Sequence, residues 1–254
     1  MGQGTTALVA VVGACGGAGA SSVAAALAHG LRRARGRAVL VDLDAGGHGV
    51  EVLLGVEDEP GARWPELAGA RGDVDGRDLL AALPRWGAVP VLSASRLSPT
   101  TPGDDVVLDV CSALLRAGEA VVADLPRPGA WTSAARALLA DADDVIVVAP
   151  STLPGAAGAV AVSRALAGLP TDAGMGRTRL VLRGRAPGRV DAADVEAVTG
   201  LDVLARVGED RALAAAVERG QGPRVGRGTR LGRLGAQLAD ALTSPGADAQ
   251  RRRR

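Results

Sequence analysis

The chain has 254 residues, 47% hydrophobic and 22% charged, with a formal net charge of +1. That length suits one large α/β domain with a sizeable core, and the balanced charge argues against a protein built mainly to neutralise phosphate backbones. Absences exclude more: there is no Lys, Asn, Tyr or Phe, all 29 basic residues are Arg, and no mechanism that needs a lysine or tyrosine from this chain can operate.

Strands alternate with amphipathic helices along the chain. Leu8 to Val12 is an apolar, β-branched run ending at Gly13, and Ser21 to Arg35 is helical, with Val23, Leu27 and Leu31 at four-residue spacing. Ala38 to Asp42 reads as a strand, and Gly46 to Leu54 as a glycine-rich connection entering a short helix. Asp58 to Asp75 is mostly loop and the best place for an insertion. Arg77 to Leu83 is a helix, Val89 to Leu92 a strand, and Pro99 to Pro102 a break. Helix Asp105 to Arg116, strand Ala120 to Asp124, helix Trp131 to Ala140 and the all-apolar strand Val145 to Ala149 follow. The remaining elements are helix Gly155 to Leu166, strand Thr178 to Leu182, helix Val190 to Val198, strand Val203 to Val207 and helix Arg211 to Arg219. A last helix, Thr229 to Leu242, carries Leu231, Leu234, Leu238 and Leu242 on one face. Repeated βα units predict a three-layer sandwich, a mostly parallel twisted sheet with helices on both faces. One domain over 1–243 and a disordered basic tail over 244–254 are expected.

Other signals are weak. Cys15 and Cys111 make no disulfide framework, which fits a reducing cytoplasm. His29 and His48 have no metal-ligand spacing around them. No apolar run reaches the roughly 18 residues of a membrane span. The start Met1-Gly2-Gln3-Gly4-Thr5-Thr6 fits a myristoylation pattern by letter only, and no secretory signal is visible.

The first βα junction, Gly13-Ala14-Cys15-Gly16-Gly17-Ala18-Gly19-Ala20-Ser21-Ser22, carries the chemistry. Glycines allow tight turns and close backbone approach, and the following helix points its free N–H groups and positive dipole end into the turn. That is an anion site, and phosphate is the usual anion. One reading is a Rossmann loop of the short-chain dehydrogenase type, with Gly13, Gly17 and Gly19 at its spacing and Asp42 on a ribose hydroxyl. That family's catalysis depends on a Tyr and a Lys, and this chain has neither.

The other reading is a P-loop. Cys15 to Ser22 resembles the deviant Walker A motif of the ParA/MinD ATPases, matching at Gly16, Gly17, Gly19, Ser21 and Ser22. Both of the motif's lysines are absent: Cys15 stands at the first and Ala20 at the second. Val39 to Asp44 with Gly46 to Gly55 resembles the strand and switch I, and Val121 to Pro126 resembles Walker B with the start of switch II. Asp141 to Pro150 and Leu201 to Leu213 resemble two later strands, the second ending in a base-pocket loop. Within the family, the resemblance is to the CpaE/TadZ-like subgroup. Its members are linked to pilus or secretion neighbourhoods, are sometimes labelled septum site-determining, and often carry a degenerate P-loop. Many also carry an N-terminal receiver-like domain.

The resemblance implies a set of roles. Gly16, Gly17, Ala18, Gly19, Ala20, Ser21 and Ser22 would hold nucleotide phosphates, Ser21 and Asp124 would seat Mg²⁺, Asp124 through water, and Asp44 would lie near an attacking water, with Asp42 as its pair; the alternative for Asp42 and Asp44 is strand-end acids capping a loop. Arg183, where the family commonly has Asn, and Gly208 would border the base. It further implies ATP and Mg²⁺ as ligands and a cytoplasmic homodimer. Protein partners in septum, pilus or secretion machinery are implied, with no specific nucleic acid and a peripheral membrane contact as an option. Losing a strong electrostatic donor typically costs about 10²–10³ in rate, so weak Mg-ATP binding with slow or no hydrolysis is expected. The alternatives are a nucleotide-free scaffold and an ATPase with a substitute cation, for which Arg127, Arg32 and Arg33 are candidates. Cys15 is either a reactive thiol at a helix N-terminus or a small buried filler. The last helix either packs on the core or lies on a membrane, and the terminal arginines, Arg251 to Arg254, would favour anionic surfaces.

Overall fold

The computed structural model describes residues 7–44, 49–70, 72, 74–98, 100–170, 176–184, 190–226 and 228–243. The myristoylation-like start, Gly46, His48, Pro99 and the basic tail lie outside them.

The strands are β1 (Leu8–Gly13), β2 (Val39–Asp42), β3 (Arg85–Trp86), β4 (Val89–Leu92), β5 (Val121–Leu125), β6 (Asp144–Pro150), β7 (Arg177–Arg183) and β8 (Asp202–Val207). They form one sheet in the order β3-β4-β2-β5-β1-β6-β7-β8. Every pairing is parallel except the two-residue β3, which is antiparallel to β4. The helices are α1 (Ala20–Arg35), α2 (Val50–Leu54), α3 (Gly76–Ala82), α4 (Asp104–Arg116), α5 (Ser133–Asp141), α6 (Leu153–Ala167), α7 (Ala192–Thr199), α8 (Arg211–Glu218) and α9 (Arg230–Thr243). Among the described residues of the loop predicted over 58–75 the chain makes one 3-10 turn, Trp64–Leu67.

The central strands are apolar at nearly every position because both sheet faces are covered. Along β1, Leu8, Ala10 and Val12 enter the core under α3 to α7, while Val9 and Val11 enter the core under α1, α2 and α9. The strand period of two thus sorts a continuous apolar run into two cores.

Helix α9 crosses α1 at a backbone contact. A Cβ on Gly30 would sit 2.0 Å from the Gly235 carbonyl oxygen, and one on Gly235 would sit 2.1 Å from that of Ala26. Glycine at both positions lets the helices meet closer than side chains permit. Leu231, Leu234 and Leu238 are buried in this contact region. The leucine face of the last helix is therefore core, and the membrane alternative for that face is corrected: its apolar surface is already packed.

The chain reverses direction across β1. From β1 it runs through α1 to β2 on one side, and β5 and β6 flank β1 on its two edges. The crevice at the carboxyl ends of the strands at such a switch point is where open α/β sheets bind ligands. Gly13, Asp42 and Asp124 all stand at those ends.

Candidate functional site

The loop between β1 and α1 is built from backbone turns. Gly17 (φ 70°) and Gly19 (φ 88°) adopt left-handed conformations that a side chain would strain. Gly19 is the residue before α1, and its carbonyl accepts the first helical bond from the Val23 amide at 3.0 Å. The loop is tied to the sheet by the Ala14 amide donating to the Val148 carbonyl at 2.8 Å. α1 has no side-chain cap and no acidic residue in its first turn. Its N-terminal amides and dipole thus remain available to an anion.

A cavity of about 340 Å³ opens over this loop. Its walls include Gly16 to Ser22, and its floor holds Asp42 and Asp124, with Asp44 and Arg127 also lining it. Ala20 lines the cavity without filling it, so the loop has not collapsed onto the position of the missing lysine.

The two floor aspartates are brought together by register, since Asp42 on β2 pairs directly with Asp124 on β5. Both are 2% exposed. Asp42 is fully engaged: Oδ1 accepts from the Asp44 amide (3.0 Å) and Oδ2 from the Val50 amide (2.9 Å). Its backbone carbonyl accepts from the Trp64 indole at 2.7 Å. Burial pushes its carboxyl up to about 6, opposed by the two backbone amides and helped by the Asp44 and Glu51 charges. Both oxygens hold the connection to α2, as a strand-end acid capping a loop does, and Asp42 also lines the cavity.

Asp124 differs. Burial raises its carboxyl well above the usual range, with the Asp42 charge adding to the effect and a hydrogen bond to the Ser21 hydroxyl opposing it. Its Oδ2 is buried and has no hydrogen-bond partner within the protein. A buried, unpartnered carboxylate oxygen beside a hydroxyl at the mouth of a phosphate loop is a donor set of the hard-oxygen kind that suits Mg²⁺.

A second, mostly apolar cleft of about 210 Å³ adjoins the first and shares Gly19, Ser22 and Leu53 with it. Arg183 and Gly208, both singled out in the sequence, line this cleft. Arg183, at the end of β7, donates from Nη1 to the Gly17 carbonyl at 2.7 Å and lies over Gly19. It therefore braces the loop as well as bordering the cleft.

One of the sequence alternatives is corrected. Arg32 and Arg33 lie in the last turn of α1, about 18 Å along the helix from Ala20 at the standard rise. Arg32 is paired there with Glu119 at 3.1 Å. Neither is a substitute for the lysine. Cys15 is half-buried and lines the cavity, packing against the α1-side core. His29 sits against Trp86 in edge-to-face contact at 6.1 Å, and burial with the Arg33 charge lowers its pKa. Among the described residues no His, Cys, Asp or Glu cluster could hold a metal of its own.

Sequence reasoning missed the support behind the site. Glu51 on α2 pairs with the Arg63 guanidinium, which also donates to the carbonyls of Val56, Glu57, Glu59 and Gly61. One buried arginine thereby fastens α2 and the following loop, and through Val50 the carboxylate of Asp42. Nothing in the local sequence marks it, because a lone Arg in a polar loop reads as solvated. Replacing Trp64 by Phe is expected to cost about 1–2 kcal/mol, the loss of one buried hydrogen bond at the Asp42 carbonyl, as read by urea unfolding.

The parallel sheet, the glycine loop at the end of β1 and the aspartates at the ends of β2 and β5 make up an α/β fold of the P-loop type. The fold is that of the MinD/ParA P-loop ATPases. A ParA family ATPase from Chlorobium tepidum superposes with a TM-score of 0.76 at 16% identity, covering 94% of this chain and 98% of that one. The septum site-determining protein MinD from Pyrococcus horikoshii, in complex with Mg-ADP, superposes with a TM-score of 0.72 at 20% identity, covering 96% and 98%. In sequence the chain is 37% identical over 243 residues to an uncharacterized protein of Mycobacterium tuberculosis. The match covers 95% of this chain, which spans 65% of the length of that relative. No protein-family model matches.

Proposed function

We propose that the chain is a MinD/ParA-like localisation or assembly factor of the CpaE/TadZ type, acting in septum placement or in pilus or secretion machinery. It binds Mg-ATP weakly and hydrolyses it slowly or not at all. The observation that carries this reading is the open phosphate cavity, with its positive-φ glycines and unpartnered Asp124 Oδ2, in a chain without a lysine. The amides from Gly16 to Ser22 would hold the phosphates, Ser21 and Asp124 would seat Mg²⁺, and the cleft beside Arg183 and Gly208 would take the base. Mg²⁺ would supply the positive charge that the lysines do not. The protein then works by a population shift on nucleotide binding, as a cytoplasmic homodimer with a partner protein. Among the described residues no helix is long and apolar enough to cross a membrane.

Calorimetric titration of Mg-ATP into the protein, run beside a phosphate-release assay, tests this. Binding with little turnover is the expected result, and no binding at millimolar nucleotide would leave only the nucleotide-free scaffold. Replacing Arg183 by Ala removes its bond to the Gly17 carbonyl and is expected to weaken Mg-ATP about 3- to 10-fold, read in the same titration.

An ATPase with a substitute cation is the second reading, and one observation favours it. Arg127 is the arginine that lines the phosphate cavity, just past Leu125 at the end of β5. Turnover that disappears in Arg127→Ala would establish it.

A further inference from the structure

A third cavity, of about 480 Å³, lies between α8 and the start of α9. Four arginines line it: Arg219, Arg224, Arg230 and Arg233. The carboxylate in its wall is Asp210, and its Oδ1 is taken by the amides of Ala212 and Leu213 at the start of α8. Among the described residues none of the four guanidiniums forms an ion pair with a carboxylate.

Three of these side chains are pre-positioned without being neutralised. Arg230 Nη1 donates to the Glu209 carbonyl (2.6 Å), Arg233 Nη1 to the Gly228 carbonyl (2.8 Å), and Arg219 Nε to the Gln221 amide oxygen (3.3 Å). Each anchor uses one N–H and leaves further donors on a group that keeps its full charge. All four arginines are exposed, so solvent and salt screen their mutual repulsion, and an anion in the basin relieves what remains. A guanidinium fork matches phosphate oxygens in geometry as well as charge. The volume is that of a small-molecule site.

We propose that the basin between α8 and α9 is a second anion site, which takes the phosphate groups of a small phosphorylated molecule. It is separate from the phosphate loop and does not rest on nucleotide binding there. Asp210, Leu213, Arg230 and Leu231 belong both to this basin and to the apolar cleft beside Arg183. A ligand with phosphates in the basin can therefore lay an apolar group into that cleft.

The test is calorimetric titration with inorganic pyrophosphate in EDTA at low salt. Wild type is expected to bind, more weakly as salt rises. Arg224→Gln, which removes a guanidinium that anchors nothing among the described residues, and Arg233→Ala are each expected to lower affinity about tenfold. Arg136→Gln, on α5 and in neither cavity, is expected to leave pyrophosphate affinity unchanged, while Ser21→Ala and Asp124→Asn report any share bound at the phosphate loop. No binding at millimolar pyrophosphate overturns the proposal. So does equal affinity in the arginine variants with a loss in the loop variants, which would place the anion at the loop. Arginine-dependent binding of duplex DNA without a response to pyrophosphate also overturns it. Because Mg²⁺ is absent, failure of Mg-ATP binding and failure of this site are read separately.

Discussion

Asp124→Asn is expected to make the protein more stable at pH 8, by about 2 kcal/mol or more, and to abolish any Mg²⁺ dependence of nucleotide binding. The wild-type floor holds two buried carboxylates side by side with no lysine anywhere in the chain to offset them. An unpaired buried charge costs several kcal/mol, and an isosteric amide removes it. Asp124 is the right member of the pair to change, because its Oδ2 has no partner to lose, whereas both oxygens of Asp42 hold backbone amides. The pH dependence follows from the same geometry. A carboxyl raised in the folded state binds its proton more tightly there than in the unfolded chain. Its stabilising contribution is present when protonated and is lost as pH rises through the folded value. For Asp42, ordinarily near 3.8 and held at about 6, that loss is about 3 kcal/mol between pH 4 and pH 8. The Asp124 carboxyl is raised likewise, by burial and then by the Asp42 charge, and an asparagine there has no proton to lose as pH rises. The stability difference between variant and wild type should therefore be large at pH 8 and shrink towards pH 5. Urea unfolding at several pH values measures it. An Asp124→Asn variant less stable than wild type at pH 8 would contradict the uncompensated-charge account.

Ala20→Lys is expected to tighten Mg-ATP binding about 10- to 100-fold, the worth of one hydrogen-bonded charge at a phosphate. Turnover should rise by about 10²-fold, the scale on which single electrostatic donors act in catalytic sites. Ala20 is the first residue of α1, lines the open cavity and stands where the resembled motif has its lysine. A cation there also faces the buried aspartates, so it should lower both carboxyls and flatten the pH dependence described above. The two readouts are independent. Titration calorimetry reports the phosphate contact, and unfolding against pH reports the restored counter-charge. A lysine variant with unchanged affinity would show that the loop no longer presents its helix end to a phosphate.

The architecture was almost wholly legible in the sequence, because α/β layering leaves a strong pattern. Three- and four-residue apolar spacing marked α1 and α9, and apolar runs rich in β-branched residues marked β1 and β6. Among the strands only the two-residue β3 had no signal, since Arg85 and Trp86 carry no period. The placement of Gly13, Asp42 and Asp124 at one crevice followed from strand ends, and the structure adds that Asp42 and Asp124 are register partners. Three things stayed hidden. The Gly30 and Gly235 crossing is long-range, and single glycines in helices read as tolerated defects. The Arg63 anchor depends on carbonyls gathered by a loop, which no local pattern records. The arginine basin was masked by composition, because in a chain whose every basic residue is arginine, four more in and around two helices carry no contrast. Proximity in three dimensions distinguishes them.

The central claim is that the β1–α1 loop still receives a nucleotide although both lysines are gone. Backbone amide resonances recorded during titration with Mg-ATP test it at the atoms concerned. The expected result is progressive shifts at Gly16, Gly17, Gly19, Ala20 and Ser21, saturating with the calorimetric curve and diminished when Mg²⁺ is withheld. Unmoved loop amides at saturating nucleotide, with shifts confined to residues 219–233, would contradict it and would put the anion at the arginine basin alone.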